Sequence, residues 1–183
     1  MRYVALFRGI NVGGKNRIKM DKLKELFLDL GFEQVKTYIQ SGNVVFDSNL
    51  EEALLYEKIH LGFLDFFGVD TKVILRNETE FQILYQKNPI SEEEISQAVE
   101  ADGTLEHLYL YFLETVPDQE KIKQIWSGYE ENDIMRVGEK ELYFLCYQSI
   151  RTSKLAARMT KAFPMSTVRN WKTVHKLYEM LKE

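Results

Sequence analysis

An α+β fold made of two related halves is what this sequence predicts, and three observations predict it. Short apolar runs alternate with period two, longer stretches carry apolar residues at helical spacing, and the second half repeats the order of the first. With 183 residues, 45% hydrophobic and 28% charged, the chain has the make-up of an ordinary globular protein able to bury its own core. Its apolar runs are too short for a membrane-spanning helix, and Arg2 and Arg8 interrupt any secretory leader. A lone cysteine, Cys146, closes no internal disulfide, which suits a reducing cytosol. A cytoplasmic protein with no membrane partner is therefore expected.

Arg2–Ile10 is a strand, since Tyr3, Ala5 and Phe7 alternate with Val4, Leu6 and Arg8. Asn11–Asn16, rich in Gly and Asn, is a loop. A helix fits Asp21–Leu30, where Leu23, Leu26, Phe27 and Leu30 form one stripe and Gly31 supplies a left-handed stop. Gln34–Ile39 and Val44–Phe46 are strands joined through Ser41-Gly42-Asn43, whose Gly and Asn tolerate positive φ. Ser48 and Glu51 have capping-box spacing ahead of a helix lined by Leu55, Ile59, Phe63 and Phe66, which Gly68 ends. Thr71–Leu75 is the fourth strand. The order over residues 1–76 is β-α-β-β-α-β, the split-βαβ, ferredoxin-like pattern.

Residues 77–104 form an acidic helical connector, with capping boxes predicted at Asn77/Glu80 and Ser91/Glu94. Residues 105–183 make a second, related α+β subdomain. It has strands at His107–Thr115, Asp133–Val137 and Glu141–Tyr147, helices at Pro117–Trp126 and Ser153–Ala162, a short strand at Ser166–Val168 and a closing helix Asn170–Leu181. No residue-level repeat accompanies this second pass.

Charge is unevenly spread. Residues 1–76 hold 11 basic and 10 acidic groups, residues 77–148 hold 5 and 16, and residues 149–183 hold 8 and 2, for nets of +1, −11 and +6. Seven of the basic groups fall between Arg2 and Lys24, against Asp21 alone. The basic ends either pair with the acidic middle of the same chain or face one anionic ligand.

Metal and nucleophile chemistry find little support. His60, His107 and His175 are scattered outside any ligand spacing, and Cys146 sits among Leu142 and Phe144 as a buried thiol. No cofactor motif stands out. The informative stretch is Arg8-Gly9-Ile10-Asn11-Val12-Gly13-Gly14-Lys15-Asn16, whose glycines let backbone N–H groups turn inward as phosphate-cradling loops do. Gly9, Gly14 and Lys15 match phosphate-loop spacing, but Asn16 stands where that motif needs Ser or Thr. A tight connection without ligand and a non-catalytic anion site both fit. A second stretch, Thr167 to Thr173, offers Asn170 as a helix N-cap and Arg169 as a fork for carboxylate or phosphate. Upstream, Lys154, Arg158 and Lys161 form the basic face of an amphipathic helix.

At these stretches the chain resembles the family known as domain of unknown function 1697, found mainly as small bacterial cytosolic proteins. The resemblance rests on Ala5–Gly14, Met20, Leu23 and Thr37–Phe46, and at the far end on Ser153-Lys154, Thr167–Val174 and Lys176-Leu177. It implies two α+β subdomains, the first ferredoxin-like, and no established activity.

In a split-βαβ sheet the first and third strands are central and antiparallel, so Gly9–Gly14 and Ser41–Asn43 are expected to meet. A pocket there, closed by Arg169 and Asn170, would take a phosphate-bearing ligand or nucleic acid through Arg8, Asn11, Gly13, Gly14, Lys15, Ser41 and Asn43. An RNA-binding variant would use Tyr3 and Phe7 as stacking aromatics on the sheet. The alternatives are a small-molecule enzyme in the same pocket, with Arg8 stabilising charge, or a protein that self-associates, for instance as a homodimer, through an apolar sheet face.

Overall fold

Strand β1 (Arg2–Phe7) organises the N-terminal half of the computed structural model, which describes residues 1–14 and 16–183. Lys15, one of the expected contacts, lies outside the described residues. β1 pairs antiparallel with β3 (Asn43–Asp47) on one side and β4 (Val73–Asn77) on the other, and β2 (Glu33–Tyr38) lies beyond β3. With helices α1 (Met20–Asp29) and α2 (Glu52–Phe67) between them, the sheet order is β2-β3-β1-β4, the expected split-βαβ arrangement. Tyr3, Ala5 and Phe7 face the helices and share a core with Leu23, Phe27, Phe46 and Phe63. The rings of Phe7 and Phe63 stack 4.7 Å apart, those of Tyr3 and Phe46 5.9 Å apart. Val4, Leu6 and Val45, on the opposite face, are buried as well.

Two local expectations change. Ser48 does not cap α2: Glu51 holds the N-cap position without a side-chain bond, and Ser48 Oγ accepts from Leu50 N. The reason is that the Ser48 N–H still donates to Met1 O, so this residue continues the β1–β3 ladder. Along α2 the buried stripe runs Leu55, Ile59, Phe63 and reaches Phe67, which packs on the core, while Phe66 is 41% exposed. A strict spacing of four carries the stripe past Phe66.

Where β1 meets β3, the Phe7 N–H donates to Gly42 O at 2.9 Å. Gly42 has φ +74°, and a Cβ there would lie 2.8 Å from Ile10 Cγ1 and 2.9 Å from Phe7 Cβ. Only glycine fits this turn without displacing the core.

The second half contains α3 (Glu78–Gln86), α4 (Glu92–Ala101), β5 (Leu108–Phe112), α5 (Gln119–Trp126), β6 (Ile134–Val137), β7 (Glu141–Leu145), α6 (Lys154–Ala162), β8 (Thr167–Asn170) and α7 (Trp171–Lys182). The second sheet has the order β6-β7-β5-β8, the same permutation as the first. Two compact units result: Met1–Ile83 with Lys176–Glu183, and Leu84–His175. The division falls inside α3 rather than at residue 76, and the connector helices do not stand apart. The last eight residues join the first unit, where Lys36 pairs with Glu183 at 2.7 Å and Arg2 Nη1 donates to Leu181 O.

Register exposes a likeness between the units that linear reading misses. Tyr3 in β1 stands opposite Phe46 and Asn77; Tyr109 in β5 stands opposite Phe144 and Asn170. One position on, Val4 faces Arg76 and Leu110 faces Arg169. Each arginine is buried and donates Nη1 to the carbonyl of the residue before it, at 2.8 Å for Arg76 and 2.9 Å for Arg169. Each asparagine accepts, at 2.9 Å, from the N–H three residues on, at Glu80 and at Thr173. The fourth strand of both sheets thus ends on the same Arg-Asn pair.

Both predicted capping boxes form, at Asn77/Glu80 and Ser91/Glu94. Glu94 also takes a bidentate pair of bonds from Arg136 of β6, at 2.6 and 2.7 Å, which ties α4 to the second sheet. His107 spans two carbonyls, Cys146 O and Asp102 O, at 2.6 and 2.7 Å.

Gly42→Ala should lower unfolding free energy by about 1–3 kcal/mol, through overpacking and strain at positive φ; urea denaturation measures it, and an unchanged midpoint refutes the tight turn. The Arg136 guanidinium holds the Glu94 carboxyl down at about 2. Its stabilising effect is present above the ordinary carboxylate range, near about 4.3, and is lost as pH falls toward about 2. Glu94→Gln should therefore flatten the fall of Tm between about pH 5 and pH 2, and an identical acid limb in both proteins refutes the pairing.

Candidate functional site

Beyond Phe7 the ladder gives way to a loop closed by its own polar groups. The Arg8 N–H donates to Lys72 O at 2.9 Å, and the Arg8 carbonyl accepts from Thr71 Oγ1. Gly9 then takes φ +66° and directs Ile10 inward, 1% exposed, beneath Gly42. Asn11 is the clasp. Its Nδ2 donates to Ile18 O at 2.9 Å and Gln40 O at 2.7 Å, while its Oδ1 accepts from Ile18 N at 2.7 Å. Its own N–H reaches Asn16 O at 3.0 Å, and Asn16 Nδ2 returns to Gly9 O at 3.3 Å. Asn11 sits at φ +54°, a region asparagine tolerates better than most residues.

The turn that Asn11 reaches is braced in the same way. Asn43 is fully buried and donates Nδ2 to Ser41 Oγ at 2.8 Å and to Tyr38 O at 3.0 Å. Leu6 stands opposite Asn43 in the ladder. The Gly9–Gly14 loop and the Ser41–Asn43 turn therefore do meet in the first unit. Asn11 and Asn43 spend their amides on backbone carbonyls, so their visible work is to hold the loop.

At the loop's rim, Val12, Gly13 and Gly14 are exposed. Gly13 and Gly14 sit at φ +58° and +78°, and no described residue accepts from their N–H groups. Arg17 Nη2 lies 3.7 Å from where a Gly14 Cβ would be, which brings its guanidinium to the same turn. Arg8 and Arg17 are exposed, and neither pairs with an acid among the described residues. Arg17 was not among the sequence-derived contacts, although the basic run Arg2–Lys24 contains it. The geometry of a nucleoside-triphosphatase phosphate loop is not formed here, since the neighbouring strands are antiparallel and the helix starts only at Met20.

Arg169 and Asn170 stand in the second unit at the end of β8. Arg169 is 7% exposed and donates Nη1 to Thr167 Oγ1 at 2.9 Å, besides the Val168 carbonyl. Burial pulls its guanidinium down to about 10, still a cation at neutral pH. Asn170 caps α7, and the following Trp171 stacks on Tyr85 at 5.3 Å.

Other expectations resolve by burial. Tyr3 and Phe7 are 5% and 1% exposed within the helix-side core, so they form no stacking platform for RNA bases. The residues of the central strands β1, β3, β5 and β7 are largely buried. Cys146 is fully buried, and burial pushes its thiol up to about 12, far from thiolate chemistry. Among the described residues no cluster of three His, Cys, Asp or Glu side chains is placed to hold a metal, and no helix is long and apolar enough to cross a membrane.

The comparisons agree with this architecture. The family model for proteins of unknown function designated DUF1697 matches residues 1–143, which takes in the glycine loop and the Ser41–Asn43 turn. A solved structure of a conserved bacterial protein from Streptococcus pneumoniae superposes with a TM-score of 0.77 at 26% identity, covering 100% of this chain and 98% of that one. That likeness runs through the closing segment Thr167–Val174, which the family match does not reach. No curated protein matches. By sequence over its first 143 residues, and by a fold shared from end to end with that bacterial protein, the chain belongs to the DUF1697 family of proteins of unknown function.

Proposed function

We propose that this chain is a non-catalytic binding module for a phosphate-bearing small molecule, a nucleotide or phosphorylated metabolite, seated on the loop after β1. One observation carries the reading: two exposed glycines, whose N–H groups no described residue accepts, have the Arg17 guanidinium beside them, and neither Arg17 nor Arg8, which opens the same loop, pairs with an acid among the described residues. Backbone N–H groups and guanidinium forks are the donors that phosphate oxygens select, and neither is needed there for packing. Lys15 adds a third cation to the segment in this reading. Asn11, Ser41 and Asn43 serve it by fixing the loop before any ligand arrives, which lowers the ordering cost of binding. Arg169 and Asn170 take no part in the proposal, because their bonds fix the end of β8 and the start of α7.

Titration with pyrophosphate and with AMP at low ionic strength should raise Tm, since a ligand specific to the folded state stabilises it. The double variant Arg8→Ala/Arg17→Ala should weaken pyrophosphate binding roughly tenfold or more, as the loss of charge-assisted bonds implies, and added salt should weaken the wild type. Equal affinity in the variant, or no shift with either ligand at millimolar concentration, rejects the proposal.

A further inference from the structure

Helices α5 and α6 of the second unit border a separate, solvent-open recess of about 470 Å³, a size that small-molecule sites occupy. Its lining combines three cations, Lys121, Arg158 and Lys161, with apolar Ile125, Ala162 and Pro164 and the neutral polar Gln124 and Ser127, and no carboxylate is among them. The sequence explains the division. α6 turns Leu155, Ala156 and Met159 into the core and leaves Arg158 and Lys161 on its outer face.

Arg158 is fixed in place. Its Nη1 donates to Ile125 O and Ser127 O, both at 2.8 Å, its Nη2 to Gly128 O at 3.4 Å, and its guanidinium lies 5.6 Å above the Tyr129 ring. It thereby caps the C-terminal carbonyls of α5 and holds a positive charge at the cavity edge. The Lys121 ammonium sits 5.6 Å above the Phe163 ring. Lys161 borders this cavity and a neighbouring one of about 440 Å³ that also includes Arg151.

Nearby cations behave differently. Lys123 pairs with Glu120 at 2.7 Å, Lys154 pairs with Glu131, and Arg136 pairs with Glu94. Lys121 and Lys161 pair with no acid among the described residues, in a chain whose net charge is −4. Uncompensated positive charge around an apolar recess is the complement of an anion that carries an apolar body.

We infer that this cavity binds a small organic phosphate, with its phosphate between Lys121 and Lys161 and its apolar part against Ile125, Ala162 and Pro164. The inference is independent of the loop after β1. Phenyl phosphate, inorganic phosphate and phenol, each titrated into ¹⁵N-labelled full-length protein at low salt, separate the contributions. Phenyl phosphate should shift the amides of Ile125, Ser127, Lys161 and Ala162, and bind roughly tenfold more tightly than either fragment. Lys121→Ala/Lys161→Ala alters two side chains outside the core and should cost roughly tenfold in the affinity read at those amides. The inference is overturned if phenyl phosphate, read at these amides, binds no better than inorganic phosphate, if the amides of Ile125, Ser127, Lys161 and Ala162 do not shift, or if the lysine variant binds there as the wild type does.

Discussion

A single backbone hydrogen bond, from Phe7 N–H to the Gly42 carbonyl, is where the architecture of the first unit and its candidate site become one problem. It extends the antiparallel ladder of two central strands by one step, at the point where both chains must leave the sheet. Antiparallel pairing dictates that the exit of one and the entry of the other share an end. Everything polar about the loop follows from that junction. The chain must turn twice within a few ångströms of a packed core, and it does so with left-handed glycines and with amides that replace missing ladder partners. The side chains that look most like ligand contacts in the linear sequence, Asn11 and Asn43, are those the junction consumes. What stays open is the rim they support.

Much of the fold was legible because it rests on periodicity and on caps. Leu23, Leu26 and Phe27 line α1 as their spacing requires, and Asn77/Glu80 and Ser91/Glu94 close as boxes. The failures have physical causes. Ser48 has the right spacing for a cap, but its backbone is already engaged with Met1, a long-range partner that local pattern does not reveal. Phe66 and Phe67 are adjacent, so a small choice of phase decides which one is buried. The boundary inside α3 follows from the packing of two halves of one helix, and helical periodicity is silent on that. At the candidate site, the meeting of loop and turn was derivable from topology. The approach of Arg17 to Gly14 depends on the path of the loop and was visible only as part of a charge tally. The cavity between α5 and α6 needs two helices far apart in sequence, so the basic spacing of Arg158 and Lys161 marked only half of it.

The uneven charge also takes a definite form. Part of the acidic middle is used inside the second unit, where Glu94 secures Arg136 and Glu131 meets Lys154. These exposed or half-exposed pairs add little to stability singly, and their main effect is to decide which cations remain uncompensated. Among the cations without an acidic partner in the described residues are Arg8 and Arg17 of the glycine loop and Lys121 and Lys161 of α5 and α6. The second pair lines a recess that also includes apolar Ile125, Ala162 and Pro164.

The shared register of the two sheets carries a further consequence. Matching strand order, an aromatic pair on the central strands and an Arg-Asn ending on the fourth strand give the two units one scaffold plan. The units differ in their connections: after β1 the first has a long glycine-bearing loop, while after β5 the second runs only from Leu113 to Asp118 before its helix. With the ladder partners fixed on both central strands, a connection can lengthen at the strand exit without disturbing either sheet.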